Sequence, residues 1–366
     1  GALVNGHPAN NVSPTVAAKV GRKLHNTPAH PLNIIKNRIV QYFNGSNALL
    51  GRPDFRLFND LPPVVTVEDN FDSLLIPEGH VSRQPSDTYY VDNKHVLRCH
   101  TSAHQTRLMR QGHDAFLVCG DVYRRDEIDR SHHPVFHQME GVRIFNGDEI
   151  PHDLDPASKA VTAEKDLKAG LEGLALDLFG DVQMRWVDAY FPFTHPSAEL
   201  EIYFQGDWLE VLGCGVIHQG VMANGGRDDG SVGWAFGLGL ERLAMVLFSI
   251  PDIRLFWSQD ARFTSQFQEG NITAFQPYSK YPPCSRDLSF WLPKAETGQG
   301  QGSEDKTFHQ NNLFELVRDI AGDLVEQIHL VDQFTHPKSL RESQCFRITY
   351  RSMDRSLTNQ EVDALQ

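Results

Sequence analysis

The feature that most restricts the folds open to this chain is a series of short apolar runs, each closed by turn residues. Pro62–Val67, Tyr89–Val91, Phe116–Val118 and Val142–Phe145 come first; Met184–Val187, Leu200–Phe204 and Trp208–Leu212 follow. Such runs predict the strands of a largely antiparallel sheet. Helical periodicity is confined to fewer places. Pro31–Phe43 starts on a proline, carries Leu32, Ile35, Ile39 and Phe43 at helical spacing, and is ended by Gly45 and Asn47. Ala157–Phe179 is the clearest long helix, closed by Gly180-Asp181. A Gly-rich stretch, Gly225-Gly226 to Gly233, leads into Trp234–Phe248, helical at its far end. The chain reads as α+β.

The pattern changes after about Gln276. Tyr278–Pro283 is a connector and Gly298–Lys306 a polar loop. Around them lie a strand (Leu288–Leu292), a helix (Asn312–Ala321), two strands (Ile328–Phe334 and Cys345–Tyr350) and a helix start (Thr358–Gln366). This β-α-β-β-α order is the split βαβ pattern without its last strand. Residues 1–30 are expected to be an N-terminal extension, residues 31–277 a large domain and residues 278–366 a small one.

Composition excludes several function classes. No apolar run approaches the ~18 residues of a membrane-spanning helix. The five cysteines are scattered, with no CxxC pair, which gives neither a disulfide framework nor a zinc knuckle. The net charge of −13 argues against non-specific coating of nucleic acid, but leaves room for a local basic face.

Two strings carry chemistry. The first is Gly120-Asp121-Val122-Tyr123-Arg124-Arg125-Asp126, followed by Phe136-His137-Gln138-Met139-Glu140-Gly141. A guanidinium can give two hydrogen bonds to a phosphate. Gln138 and Glu140, two apart on a strand, share a face and suit an ammonium group. Arg124-Arg125-Asp126 alone would equally be a solvated hairpin; the returning Gln-x-Glu favours a site. The second string is Gly237-Leu238-Gly239-Leu240-Glu241-Arg242, whose glycines permit close approach of a nucleotide. Alone, it is as well explained by a strand-to-helix turn with an exposed arginine.

Together these strings resemble motifs 2 and 3 of the class II aminoacyl-tRNA synthetases. His100-Thr101-Ser102-Ala103-His104-Gln105, Tyr190-Phe191-Pro192-Phe193-Thr194-His195-Pro196-Ser197, Asn70-Phe71-Asp72-Ser73-Leu74-Leu75 and Trp208–Gly215 extend the match. They resemble the phenylalanyl-tRNA synthetase branch in its single-chain, organellar form, from about His30 to the end. The resemblance implies a class II antiparallel-sheet catalytic domain with helices, and a ferredoxin-like anticodon-binding domain. It implies ATP as substrate, Mg²⁺ carried with ATP rather than in a protein metal cage, and phenylalanine and tRNA(Phe) as partners. A monomer without membrane contact is expected, in the mitochondrial matrix or alternatively the plastid stroma. No segment resembles an editing module.

Site residues follow from the same resemblance. Arg124 and Arg242 would be catalytic. Ser131, His132, His133, Phe136 and Glu210 would join them around ATP, with Phe136 and Arg242 sandwiching the adenine. His100, Ser102, His104, Gln105, Gln138 and Glu140 would surround the amino acid's polar end, with Ala103 and Met139 also among the phenylalanine-binding residues. Phe191, Phe193, Ala235 and Phe236 would enclose its ring. Phe191 and Phe193 are expected in an extended segment with both rings on one side. Asp126 departs from the class pattern, which has Glu there, as do Val81 (commonly Pro) and Ser131 (commonly Thr). In the small domain Arg347 and Arg351 alternate outward from Phe346, Ile348 and Tyr350. On charge alone they fit a solvated sheet face as well as a tRNA contact; the resemblance favours the contact. Another enzyme on the same fold, or a silent RNA-binding paralogue, are the competing readings. Phe191 and Phe193 oppose the first; intact Arg124, Glu140 and Arg242 oppose the second.

Overall fold

The structure, a computed structural model, describes residues 3–46, 53–151, 153–277, 281–292 and 308–366. Three short strands come first: β1 (Arg56–Phe58), β2 (Val64–Thr66) and β3 (His95–Leu97). Then come β4 (Ala115–Tyr123), β5 (Val135–Phe145), β6 (Gln183–Phe191), β7 (Thr194–Phe204), β8 (Asp207–Ile217) and β9 (Val232–Gly239). Seven of them form one sheet in the order β1-β4-β5-β9-β8-β7-β6. Only β1 and β4 run parallel.

The early runs are shorter than the sequence predicts. Pro62 and Pro63 have no N–H to give a ladder, so β2 begins at Val64 and pairs with β3 outside the main sheet. Tyr89–Val91 is no strand: a single bridge joins Tyr90 to Val96, because Asp92 turns the chain by accepting from the N–H groups of Lys94 and His95.

The Pro156–Phe179 helix is capped by Asp155 and stopped at Gly180. Its stripe of Ala163, Leu167, Leu171, Leu174 and Leu178 packs on the sheet. The Pro31–Gln41 helix continues as a wide turn over Tyr42–Ser46, and the Tyr42 hydroxyl bonds the Gly170 carbonyl at 2.9 Å. A Cβ on Gly173 would lie 2.2 Å from that hydroxyl, so glycine permits the two segments to touch. The described residues before the Pro31 helix also pack inward. Val12 and Val16 are buried with Tyr89, Leu97, Tyr123 and Val135, and Leu24, His25 and His30 are buried too.

The small unit has β10 (Cys284–Trp291), β11 (Val325–Thr335) and β12 (Glu342–Tyr350) in the order β10-β12-β11, with helices Gln310–Ala321 and Asn359–Leu365. The β-α-β-β-α order is as the sequence predicts, and Phe346, Ile348 and Tyr350 face its core. The loop expected at Gly298–Lys306 and the start of the connector at Tyr278 lie outside the described residues. This unit packs on the loop between β4 and β5. Tyr89 donates to Glu315 (2.7 Å), Ile328 N–H to the Ile128 carbonyl (3.0 Å), and Arg130 pairs with Glu326 (2.5 Å).

Candidate active site

β9 enters between β5 and β8, and that placement assembles the site. Glu140 on β5 stands opposite Gly237 on β9, which stands opposite Gly213 on β8. The two glycines keep the floor beside the carboxylate flat. A Cβ on Gly213 would come 2.8 Å from the Phe191 ring, whereas one on Gly237 would meet nothing within 4 Å. Above this floor opens a cavity of about 620 Å³. It is lined by His100, Ser102, Arg124, Gln138, Glu140, Phe191, Phe193, Glu210, Ala235 and Phe236 among others.

The polar end is built from β4, β5 and the turn after His100. Arg124 donates from Nε to the Cys99 carbonyl (2.8 Å) and lies 5.1 Å over the Phe136 ring, which orients its fork. Glu140 is buried; one carboxylate oxygen accepts from Ser102 Oγ, and the other has no partner among the described residues. Burial pushes its carboxyl up to about 7, although hydrogen bonds from Ser102 and Thr101 oppose the shift. Gln138 Oε1 accepts from the Thr101 N–H at 3.4 Å. Both ring nitrogens of His100 are buried without partners among the described residues. Burial and the nearby Arg124 charge lower this imidazole to about 3, so it is neutral. The site therefore offers a fixed cation and, a short way off, an unsatisfied carboxylate.

The aromatic end differs in backbone from the expectation. β6 ends at Phe191 and Pro192-Phe193 form the turn into β7, so the segment is a hairpin rather than extended. The turn still brings the two rings together, stacked at 5.9 Å and 15°. Ala235 lines the cavity at 6% exposure. Phe236 touches the cavity, but its ring stacks on Phe43 at 5.2 Å in the core.

Other expected residues lie elsewhere. Ala103, His104, Gln105 and Met139 do not line the cavity. Met139 sits between Gln138 and Glu140 on β5 and so faces the core, fully buried. His104 is held between Arg98 (2.8 Å) and Arg107 (3.0 Å). Burial and the two guanidiniums lower it to about 2. Arg242 pairs with Glu210 at 3.2 Å beside the cavity. Ser131 and His132 bond Asp129 within their own loop. His133 stacks on Trp257 (5.3 Å) and lies 3.6 Å from Asp323 of the small unit.

Glu199, Thr194 and Cys214 also line the cavity, though the sequence did not single them out. Glu199 is raised by burial and by its neighbours Glu210 and Glu201. On the small unit, Arg347 makes two bonds to Asp287 (2.7 and 2.8 Å), and Arg351 pairs with Glu326 (2.9 Å). An exposed aromatic tip stands at the far end of the same sheet. Trp291, Phe334 and His336 meet edge-on, and Arg341 lies 5.3 Å over Trp291. No single segment signals this tip, since its members come from two strand ends.

Residues 15–267 match the model of the tRNA synthetases class II core domain (F), and residues 279–366 that of the ferredoxin-fold anticodon binding domain. The chain is 55% identical over 98% of its length to the chloroplastic/mitochondrial phenylalanine–tRNA ligase of Arabidopsis thaliana, spanning 80% of that protein. It is 50% identical over 96% of its length to the mitochondrial phenylalanine–tRNA ligase of Mus musculus, spanning 81% of it. With that of Saccharomyces cerevisiae (strain ATCC 204508 / S288c) the identity is 40% over 97% of the chain and 88% of the relative. Both family models fall on the two units of the structure, and the relatives match along nearly the whole chain. The chain belongs to the class II aminoacyl-tRNA synthetases, and within them to the single-chain phenylalanine–tRNA ligases.

Proposed function

We propose that this chain activates phenylalanine with ATP and transfers it to tRNA(Phe), with the chemistry in residues 31–277 and the anticodon contact in residues 278–366. The observation that carries this reading is Glu140: a buried carboxylate with one oxygen unpaired, lining the same cavity as two stacked phenylalanine rings. An α-ammonium satisfies that oxygen while the side-chain ring reaches Phe191 and Phe193. Gln138 and Ser102 border the same polar end.

The phenylalanine carboxylate attacks the α-phosphorus of ATP, forming the mixed anhydride and expelling pyrophosphate. Arg124 neutralises the charge that grows on the α-phosphate oxygens. Phe136 and Arg242 hold the adenine, and Glu210 keeps Arg242 aligned until the nucleotide arrives. A ribose hydroxyl of the terminal adenosine then attacks the carbonyl and releases AMP. Mg²⁺ would travel with the triphosphate as part of the substrate, and Glu199 and Glu210, which line the cavity, would be available to it. The reaction needs positioning and charge stabilisation rather than an acid–base pair.

On the small unit, Arg347 faces outward for phosphate contact, whereas Arg351, expected to do the same, is half-buried against Glu326 beside the large unit; the Trp291–Phe334–His336 tip offers flat faces for unpaired bases. Arg347 would exchange the Asp287 carboxylate for phosphate on binding. The names of the relatives favour a mitochondrial location, with the plastid as the alternative; the catalytic and anticodon-binding units lying on one chain favour a monomer. Amino-acid-dependent exchange of pyrophosphate into ATP tests the reading. Phenylalanine should support it and other amino acids should not; no exchange with phenylalanine would overturn the assignment.

A further inference from the structure

Behind the proposed ATP site lies a buried hydrogen-bonded pair to which the mechanism above gives no part. Glu241, at 3% exposure, accepts from His137 twice: from the backbone N–H at 2.8 Å and from ring Nδ1 at 2.7 Å. The reason for the first bond is topological. The ladder between β5 and β9 ends at Gln138 and Gly239, because β9 turns there into the Leu240–Leu247 helix. The His137 N–H has therefore lost its strand partner, and the carboxylate of Glu241 takes that place. The imidazole bond adds a second tie from strand to helix, which fixes the helix against rotation as well as translation.

Each member of the pair is the immediate neighbour of an ATP-site residue. On β5, Phe136 and His137 point to opposite faces, so His137 is buried while Phe136 lies partly open beneath Arg124. In the first turn of the helix Glu241 points inward, while Arg242 next to it is exposed and meets Glu210.

We propose that the His137–Glu241 pair is a positioning device for the nucleotide: by tying β5 to the helix after β9, it sets the separation of Phe136 and Arg242 and hence the fit of the adenine between them. This rests on the ATP assignment made above. The ring's free nitrogen sharpens the prediction. His137 Nε2 and His25 Nδ1 are both buried without partners among the described residues, and the two rings lie 5.1 Å apart. The His137 tautomer is thus not locked from its far side. A glutamine at position 241 can keep both ties, its oxygen accepting from the backbone and its amide donating to a ring that has moved its proton to Nε2.

The test is the pyrophosphate exchange reaction with ATP and phenylalanine varied separately, alongside calorimetric binding of a non-hydrolysable ATP analogue. Glu241→Ala should raise KM for ATP and the Kd of the analogue at least tenfold, while KM for phenylalanine stays within threefold. Glu241→Gln should recover most of that loss. His137→Ala, which keeps the backbone bond and loses only the ring tie, should show the same selectivity at about a third of the size. It also serves if Glu241→Ala does not fold. Equal losses for both substrates, or no recovery in Glu241→Gln, would reduce the pair to a structural contact and overturn the proposal. Failure of the wild-type enzyme to exchange at all would instead strike the ATP assignment itself.

Discussion

Glu140 gives the most exacting test of the amino-acid site, because its ionisation falls within the working pH range. Moving a carboxyl from its ordinary 4.5 to about 7 corresponds to about 3 kcal/mol against the ionised form. The cause is burial, with one oxygen unpaired. An ammonium seated on that oxygen requires the carboxylate. The free site must therefore release a proton whenever it starts protonated, and affinity must rise with pH through about 7. The ionised fraction is roughly a tenth at pH 6 and nine-tenths at pH 8, so the Kd for phenylalanine should fall about tenfold across that span. His100, lowered to about 3, stays neutral throughout and adds no competing step. Calorimetry with phenylalanine alone avoids the titration of ATP. Near pH 7, buffers of different ionisation heat should report release of roughly half a proton. Glu140→Gln should lose this pH dependence and bind more weakly at pH 8 by about 1.5–3 kcal/mol, the worth of a hydrogen bond to a charged group. A wild-type Kd that changes less than twofold from pH 6 to pH 8 would refute the placement of the ammonium.

Three further outcomes follow from the same geometry. Arg124→Ala and Arg242→Ala should each abolish exchange with the thermal midpoint little changed, since both side chains meet the cavity or its edge rather than the core; near-normal exchange in either variant refutes its role. Ala235→Gly should admit para-chloro-phenylalanine and raise tyrosine activation with KM for ATP unchanged, measured by exchange kinetics with the three amino acids, because Ala235 lines the same cavity as Phe191 and Phe193. Gly237→Ala should leave stability nearly intact, because its Cβ meets nothing, yet raise KM for phenylalanine or ATP severalfold by projecting into the space above the floor; a variant with wild-type kinetics would show that neither substrate passes over that strand.

How much of this was legible in the sequence depends on the distance over which each feature is decided. Alternation within β5 separates Glu140 from Met139, and that period is visible in the string itself. Grouping Met139 with the site ignored it. The Phe191–Phe193 pair was legible as a pair but not as a turn. Proline is equally at home in an extended edge and in a hairpin, and the choice is made by β7 returning along β6. The β-α-β-β-α order of the small unit is local patterning and could be read directly. The ion pair of Arg347 with Asp287 could not, because the two stand opposite each other only in the register of β10 on β12.

The site itself divides along the same line. Its charged residues come in short strings that a reader can find, but what joins the strings is the insertion of β9 between β5 and β8, two strands far apart in sequence. Neighbouring strands in sequence pair more often than not, so a reader following that rule would have put β9 at an edge. At an edge, Gly237 would not face Glu140, and Glu241 would be too far from the end of β5 to replace the lost ladder bond of His137. Nearly every residue of β5 is buried, as a strand with neighbours on both sides and layers on both faces must be, although its sequence holds His137, Gln138, Glu140 and Arg143. A polar residue within such a strand must then be satisfied by design or left waiting for a ligand. At Nδ1, His137 is of the first kind, held by Glu241. Glu140, with its unpaired oxygen, is of the second.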